Sequence, residues 1–218
     1  MLFVPTQGGK MEIIMTKIKI CGLRRSCDID YVNELMPEYI GFVFAQNSKR
    51  YVTFEQAEKL RHKLNDGIIP TGVFVNEDIS NIEYLVKKGV IDAVQLHGVE
   101  NRKYTEALKN KVKCPIIQAF SIKCAEDIKQ AEKSKADYIM LDSGGGTGTQ
   151  FNHSLISGIK RDFFIAGGLD SENVADIISK FKPYAVDASS SLETDGVKDK
   201  SKLTAFVNAV RDGGNKNE

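Results

Sequence analysis

Residues 17–23 read Lys-Ile-Lys-Ile-Cys-Gly-Leu, a short strand-like run that ends in a thiol and then breaks into a glycine loop. Similar runs recur along the chain and alternate with longer segments of helical periodicity. We predict eight strands, Ile18–Cys21, Tyr39–Phe44, Thr71–Val75, Ala93–Leu96, Ile116–Phe120, Tyr138–Leu141, Phe163–Ala166 and Ala185–Asp187. Eight βα units favour an α/β fold of the TIM (β/α)8 barrel type over its rival, an open flavodoxin-like sheet, which normally needs fewer repeats.

The composition indicates one globular domain without a strong charge. The chain has 218 residues, is 42% apolar and carries a formal net charge of +1. This balance gives no bias toward nucleic acid or membranes, so we expect a small-molecule partner. No stretch reaches the ~18 consecutive apolar residues of a membrane span. The start lacks the basic and apolar regions of a secretion signal, and we therefore predict a cytoplasmic location.

The first clear strand begins near Lys17, and this position sets the predicted domain limits. Residues 1–16 are predicted to be an N-terminal extension, and residues 17–218 the barrel domain. The extension is a tag, an artefact of start-site assignment or a natural arm. No linker rich in Pro or Ser divides the remaining chain. The outer helix faces fit a monomer or a homodimer equally well.

Strand parity places several polar side chains at one end of such a barrel. Three pairs share an inward face, namely Lys19 with Cys21, Gln95 with His97, and Met140 with Asp142. Barrel active sites are built at the C-terminal ends of several strands. We therefore predict one site from Cys21, His97, Asp142 and Asp187, in which Cys21 and Asp142 form an acid/base pair. The alternatives are a helix N-cap for Asp142 and a structural histidine for His97.

Two loops rich in glycine or serine follow the seventh and eighth predicted strands. They read Ile-Ala-Gly-Gly-Leu at 165–169 and Val-Asp-Ala-Ser-Ser-Ser at 186–191. Barrels commonly hold phosphate at these two loops with backbone N–H groups and a short helix N-terminus. We predict that Gly167, Gly168, Ser189 and Ser190 bind phosphate, with two ordinary tight turns as the alternative. The glycine-rich segment 144–148 lacks the lysine of a P-loop and is predicted to be a mobile lid.

The remaining cysteines predict neither a metal site nor disulfides. Cys27, Cys114 and Cys124 show no CxxC spacing and no nearby histidine pair. A disulfide framework is not expected in a chain of this size without a secretion signal. We expect these three residues to be ordinary core or surface thiols.

Several short motifs, taken in order and spacing, closely resemble those of the phosphoribosylanthranilate isomerases. They are KICGL at 19–23, GFVF at 41–44, SKRYV at 48–52, GVFVN at 72–76, VQLHG at 94–98, LDS at 141–143, GTG at 146–148, GGL at 167–169, NV at 173–174 and VDASS at 186–190. Each motif is short, but their combination is specific. The resemblance runs from about Lys17 to the end of the chain.

The resemblance implies an enzyme of tryptophan biosynthesis that needs no cofactor and no metal. Its reaction is the Amadori rearrangement of N-(5-phosphoribosyl)anthranilate to 1-(2-carboxyphenylamino)-1-deoxyribulose 5-phosphate. Asp142 would be the general acid at the furanose ring oxygen, and Cys21 the general base at C2′. Arg50 would bind the anthranilate carboxylate, although a solvated loop charge is the alternative, and Asp187 would hold a sugar hydroxyl.

The implied chemistry sets requirements on two pKa values. Asp142 must have a raised pKa to hold a proton at neutral pH, and Cys21 must have a lowered pKa to act as a base. Lys19 lies on the same strand face as Cys21. We therefore expect Lys19 to lower the pKa of the thiol.

The chain departs from the family pattern at two places. Ser191 stands where the family usually has glycine, and Phe-Asn-His at 151–153 replaces the usual Phe-Asp-Trp. We expect changes in phosphate geometry and in the lid, but retained activity. Two rival functions stay open, a related phosphosugar barrel enzyme such as an epimerase or indoleglycerol-phosphate synthase, and a barrel that binds the product without turnover.

Overall fold

Eight parallel strands close a barrel in the computed structural model, which describes residues 2–5, 11–142, 156 and 159–215. A separate antiparallel hairpin, β1 (Leu2–Pro5) and β2 (Met11–Ile14), precedes them. The barrel strands are β3 (Lys17–Cys21), β4 (Tyr39–Val43), β5 (Ile69–Phe74), β6 (Ala93–Leu96), β7 (Ile116–Ser121), β8 (Tyr138–Asp142), β9 (Phe163–Ala166) and β10 (Ala185–Ala188). They pair in chain order, and β10 pairs with β3. The predicted TIM barrel is confirmed.

The described helices surround the barrel. They are α1 (Ser26–Leu35), α2 (Phe54–Arg61), α3 (Ile79–Lys87), α4 (Arg102–Lys109), α5 (Ala125–Glu132), α6 (Val174–Phe181) and α7 (Lys200–Asn215). Thr53 caps α2 and Asp78 caps α3, each by accepting a hydrogen bond from a backbone N–H in the first turn. These caps place the start of each helix just after the loop that leaves the mouth of the barrel.

Two layers of apolar side chains fill the fold. Outward-facing strand residues such as Ile20 and Phe42 pack beneath the helices in one large cluster. Inward-facing residues form two smaller clusters, one around Tyr39 and Phe164 and one of Cys21, Val43 and Val73. Because Cys21 and Val43 end their strands, the second inner cluster lies at the C-terminal mouth of the barrel.

A short hairpin follows β10 and a 3-10 turn at Ser190–Leu192. It consists of β11 (Glu193–Thr194) and β12 (Val197–Lys198), joined by Asp195 and Gly196. Both loop residues have positive φ, 52° and 74°, as in type I′ hairpin turns. The register places Glu193 directly opposite Lys198.

The structure leaves the predicted domain limits and the predicted lid untested. β1 and β2 pair only with each other among the described strands, and the division into residues 1–16 and 17–218 stays a prediction. The predicted lid at 144–148 and the motif at 151–153 lie outside the described residues. Within the residues that the structure describes, no helix has the length and apolar character needed to cross a membrane.

Candidate active site

A cavity of about 300 Å³ opens at the C-terminal ends of the barrel strands. Its lining includes every residue predicted for the site, Cys21, Arg50, His97, Asp142, Gly167, Gly168, Asp187, Ser189 and Ser190. The structure therefore brings together residues from strand ends that are distant in sequence. Their chemical roles stay predictions.

The Cys21 thiol occupies a space that a neighbouring glycine leaves open. Cys21 ends β3 and pairs with Gly41 of β4. A Cβ atom at position 41 would lie 2.6 Å from the Cys21 Sγ and 3.1 Å from its Cα. Any larger residue at position 41 would displace the thiol, while Val43 and Val73 form an apolar wall beside it.

A buried ion pair lies beneath the thiol. Lys19 is 0% exposed, and its Nζ donates to the Asp187 Oδ1 at 3.0 Å. The pairing of β10 with β3 places the two residues opposite each other, so the strand register itself builds this contact. Burial would lower the pKa of Lys19, but the charges of Asp187 and Cys21 outweigh it and the net shift is upward.

Burial is the dominant influence on the two acidic groups next to Lys19. It raises the pKa of the Cys21 thiol, and the opposing effect of Lys19 is smaller. It also raises the pKa of Asp187 against the lowering effect of Lys19. The prediction of a lowered Cys21 pKa is therefore wrong, because Lys19 is already paired with Asp187 and the thiol is desolvated.

A histidine and a glutamine support the carboxyl group of Asp142. The Asp142 Oδ2 lies 3.3 Å from the His97 Nε2, and the His97 Nδ1 lies 3.0 Å from the Gln95 Nε2. The His97 ring therefore lies between the Gln95 amide and the Asp142 carboxyl group, with one ring nitrogen facing each. The Gln95 Nε2 also lies 3.3 Å from the Met140 sulfur. This arrangement fixes the position of the His97 ring next to Asp142.

The two predicted phosphate loops are joined to each other and to the thiol strand. Gly167 and Gly168 have φ of 97° and 66°, a region that side chains rarely adopt. The Ser189 Oγ donates to the Cys21 carbonyl at 2.9 Å. The Ser191 Oγ donates to the Leu169 carbonyl. Ser191 has no positive φ, so the serine fits the loop without backbone strain and adds a contact between the loops.

Arg50 reaches the mouth from the loop after β4. Its side chain packs over Gly22, where an added Cβ would come within 2.3 Å of the Arg50 Cδ. The Arg50 Nε and Nη2 donate to the two carboxylate oxygens of Glu193 at 2.6 and 2.8 Å. Glu193 also accepts from the Lys198 Nζ at 2.7 Å.

The sequence predictions omit Glu193 and Lys198, although a signal for them exists. Asp195-Gly196 is a strong hairpin turn. In a two-residue hairpin, positions 194 and 197 flank the turn, and positions 193 and 198 form the next facing pair. A glutamate opposite a lysine in a loop next to the site predicts an ion pair.

Among the described residues, no three side chains of His, Cys, Asp or Glu are arranged so that they could hold a metal ion together. All four cysteines are free. Cys27 and Cys114 are partly buried, Cys124 is exposed, and burial raises the pKa of Cys114 to about 11. The burial of Cys27, Cys114 and Cys124 agrees with the expectation that they are ordinary core or surface thiols.

Comparison with known proteins gives a consistent result. The family model described as N-(5'phosphoribosyl)anthranilate (PRA) isomerase matches residues 18–209. The N-(5'-phosphoribosyl)anthranilate isomerase of Endomicrobium trichonymphae is 42% identical over 202 residues, which cover 90% of this chain and 99% of that protein. That of Clostridium acetobutylicum is 41% identical over 206 residues, which cover 90% and 98%.

Solved structures agree with the sequence relatives. The phosphoribosyl anthranilate isomerase from Thermotoga maritima has a TM-score of 0.84 and 32% identity, over 91% of this chain and 100% of that chain. A further structure, with TM-score 0.82, 31% identity and the same coverage, is of such an enzyme in complex with reduced 1-(o-carboxyphenylamino)-1-deoxyribulose 5-phosphate. The chain belongs to the family of the N-(5'-phosphoribosyl)anthranilate isomerases.

Proposed function

We propose that this protein converts N-(5-phosphoribosyl)anthranilate into 1-(2-carboxyphenylamino)-1-deoxyribulose 5-phosphate. One observation carries the proposal. A thiol, a carboxyl group, a guanidinium and two glycine- and serine-rich loops all line the same cavity. The substrate has a ring oxygen to protonate, a C2′ proton to remove, a carboxylate and a phosphate, and each has a matching group in this cavity.

Asp142 is the general acid in the proposed mechanism. It gives a proton to the furanose ring oxygen, the bond from C1′ to that oxygen breaks, and a protonated Schiff base forms. The His97 ring lies with its Nε2 3.3 Å from the Asp142 Oδ2 and holds the carboxyl group in position. Proton donation by a positioned side chain typically raises the reaction rate about 10²–10⁴-fold.

Cys21 is the general base. It removes the C2′ proton to give an enolamine, which tautomerises to the ketone, so one proton is given and one is taken. Burial raises the pKa of the thiol, and the site alone therefore favours the protonated form. The protonated Schiff base brings a positive charge to the thiol, and a positive charge nearby favours the thiolate. The thiol proton leaves to solvent through the open mouth of the cavity, and Asp142 takes a proton back from solvent when the product has formed. The charge of the intermediate adds to the lowering effect of Lys19, which burial outweighs in the free site.

The two anionic ends of the substrate fit different groups at the mouth. Arg50 suits the anthranilate carboxylate, because a guanidinium forms planar paired hydrogen bonds with a carboxylate. The loops at Gly167–Gly168 and Ser189–Ser190 suit the phosphate through their backbone N–H groups. Asp187, which lines the same cavity, suits a sugar hydroxyl.

The first experiment generates phosphoribosylanthranilate in situ and follows the loss of its fluorescence. Wild type is compared with Cys21→Ala, and Cys114→Ala serves as the matched control because Cys114 lies outside the cavity. We expect rapid decay with wild type and with Cys114→Ala, and a large loss with Cys21→Ala. Equal decay with Cys21→Ala would remove the thiol as the base.

The same assay separates the two rival functions. A wild type that turns over another phosphosugar but not phosphoribosylanthranilate would be a related barrel enzyme. A wild type that binds the reduced product analogue without any turnover would be a binding barrel. Both the acid and the base required for turnover line the cavity, which favours the isomerase.

Location and assembly belong to the same proposal. We expect the enzyme in the cytoplasm, without nucleic-acid or membrane partners, as a monomer or a homodimer. One solved relative, from Thermotoga maritima, is described as a dimeric enzyme. Sedimentation equilibrium of the purified chain distinguishes the two states.

A further inference from the structure

One edge of the Arg50 guanidinium, which is proposed to bind the substrate carboxylate, is already hydrogen-bonded to Glu193. Glu193 accepts from the Arg50 Nε and Nη2 at 2.6 and 2.8 Å. A guanidinium has five N–H groups in a rigid plane, so two are used and three are left. The paired bonds fix the orientation of that plane. Glu193 therefore determines the direction in which the other N–H groups of Arg50 point.

A buried lysine holds Glu193 in turn. The Lys198 side chain is 1% exposed, and its Nζ donates to the Glu193 Oε1 at 2.7 Å and to the Ser189 carbonyl at 2.9 Å. A buried cation is costly unless it is paired and hydrogen-bonded. Lys198 meets that condition through the Glu193 carboxylate and the Ser189 backbone carbonyl.

The charges of Arg50, Glu193 and Lys198, taken together, suit an anionic ligand. By formal charge Arg50 with Glu193 is neutral, and Lys198 adds one positive charge. Burial lowers the pKa of Lys198, and the bond to Glu193 opposes that shift. Burial would raise the pKa of Glu193, but hydrogen bonds from Arg50 and Lys198 outweigh it and lower the pKa to about 2. Glu193 is thus ionised at neutral pH and keeps its bonds to both cations.

The group also connects the two ends of the proposed substrate. Ser189 belongs to the loop proposed for phosphate, and its Oγ donates to the Cys21 carbonyl at 2.9 Å. Lys198 binds the backbone of that same serine. A continuous path of polar contacts therefore runs from the phosphate loop through Lys198 and Glu193 to Arg50.

From these contacts we infer that Glu193 and Lys198 are positioning residues of the isomerase. Glu193 fixes the orientation of Arg50, and Lys198 ties Glu193 to the Ser189 loop, so that carboxylate and phosphate are bound at a set separation. The inference rests on the proposed function, because it assigns the two anionic groups of that substrate to Arg50 and the Ser189 loop. It adds residues that the acid/base mechanism does not use.

The test measures how strongly the site prefers a ligand with a carboxylate. The probes are reduced 1-(2-carboxyphenylamino)-1-deoxyribulose 5-phosphate and the same molecule without the carboxyl group, with dissociation constants from titration calorimetry. The variants are Glu193→Gln and Lys198→Met. The matched control is Lys202→Met, because the Lys202 Nζ donates to the Glu193 backbone carbonyl at 2.6 Å but not to its carboxylate.

For Glu193→Gln we expect the preference for the carboxylated probe to fall about tenfold, which is the loss of one charge-assisted hydrogen bond. Its affinity for the other probe should not change. Lys198→Met should weaken the binding of both probes, since it releases Ser189 as well as Glu193. Lys202→Met should leave the preference as in wild type. In steady-state turnover, Glu193→Gln should raise KM and leave kcat within about twofold.

A double-mutant cycle distinguishes positioning from a general effect on folding. In an Arg50→Ala background, Glu193→Gln should cause no further loss of the carboxylate preference, because the group that it orients is gone. An unchanged preference in the single variant would overturn the inference. So would an increased preference, which would mean that Glu193 only neutralises Arg50. If Glu193→Gln does not fold, Glu193→Asp keeps the charge but shortens the reach, and the same loss is expected.

The turnover and binding results separate this inference from the proposed function. A wild type that binds the reduced probe without converting phosphoribosylanthranilate would refute the isomerase activity, and the carboxylate preference would still decide the roles of Glu193 and Lys198. A wild type that converts the substrate, together with a variant of unchanged preference, would refute the inference alone.

Discussion

The two ends of the barrel use the same strand for different purposes. Lys17, Lys19 and Cys21 alternate along β3 and share its inward face. At the N-terminal end, the Lys17 Nζ donates to the Tyr184 hydroxyl at 2.8 Å. The Tyr39 and Tyr138 hydroxyls lie 3.0 and 3.2 Å from the same oxygen. At the other end, Lys19 pairs with Asp187 and Cys21 lines an open cavity.

The difference lies in how the polar groups are satisfied. The tyrosine rings of the N-terminal end pack on one another and on Phe164, with the Tyr138 and Tyr184 centroids 4.5 Å apart. Their hydroxyls form a closed set of hydrogen bonds, which favours stability. The C-terminal mouth instead holds ionised or ionisable groups around a space for a ligand, which favours chemistry.

The largest expected effect is at the mouth. Asp142→Asn removes the proposed proton donor and keeps the shape of the side chain, so kcat should fall by about 10²–10⁴. Tyr138→Phe at the opposite end should leave kcat unchanged. Steady-state kinetics of both variants test this contrast, and a retained kcat in Asp142→Asn would exclude it as the acid.

The next effect contrasts two lysines of one strand. Lys19→Met leaves Asp187 buried without its partner and should lower the free energy of unfolding by about 3–5 kcal/mol. Lys17→Met removes a hydrogen bond to a neutral hydroxyl and should cost about 1–2 kcal/mol. Urea unfolding measures both values. Equal losses of unfolding free energy in the two variants would show that the buried ion pair at the mouth is no more important for stability than the hydrogen bond at the other end.

Tyr184→Phe tests the closed set of hydroxyls directly. The change removes the oxygen around which Lys17, Tyr39 and Tyr138 converge, and we expect a loss of about 1–3 kcal/mol in the free energy of unfolding. The kcat/KM should stay within about twofold of wild type, because Tyr184 directly precedes β10, at the end of that strand opposite to the mouth. A marked fall in kcat/KM without a change in stability would contradict the division of roles.

The smallest effect concerns pH. The folded pKa of Glu193, about 2, lies below its unfolded value near ~4.3, so its contribution to stability is present above pH ~4.3 and is lost as the pH falls toward 2. Glu193→Gln should therefore cost about 1 kcal/mol at pH 7 and clearly less at pH 3.

The deficit of Tyr184→Phe should be similar at both pH values, because lysine and tyrosine have ordinary pKa values of about 10. Denaturant unfolding of the two variants at pH 7 and pH 3 measures the four differences. A Glu193→Gln deficit that does not shrink at pH 3 would mean that its carboxylate is not stabilised as described.

Local patterns predicted the barrel and its mouth well. Alternation of side chains along β3 and β6 correctly placed Cys21, Gln95 and His97 on inward faces at the cavity. The start of the helix after β9 is less predictable. Serine is a residue type that favours an N-cap, but α6 begins three residues after Ser171, because Asp170 accepts from the backbone N–H groups of residues 172 and 173 and forms an additional turn.

Features that depend on distant contacts could not be predicted from single positions. The net pKa shift of Cys21 follows from the balance between burial and a lysine that is already paired with Asp187. The bond of Arg50 to Glu193 depends on the packing of two loops that are 143 residues apart. The hairpin signal at Asp195-Gly196 indicates the neighbours of Glu193, but it does not indicate Arg50.

The pairing of β10 with β3 has a consequence for synthesis. Asp187 and Lys19 face each other across the seam where the last barrel strand meets the first. A growing polypeptide cannot form this contact until β10 has left the ribosome, and the same seam carries the Ser189 contact to Cys21. An incomplete chain would therefore lack an assembled catalytic centre, and the appearance of activity during refolding reports the moment at which the seam closes.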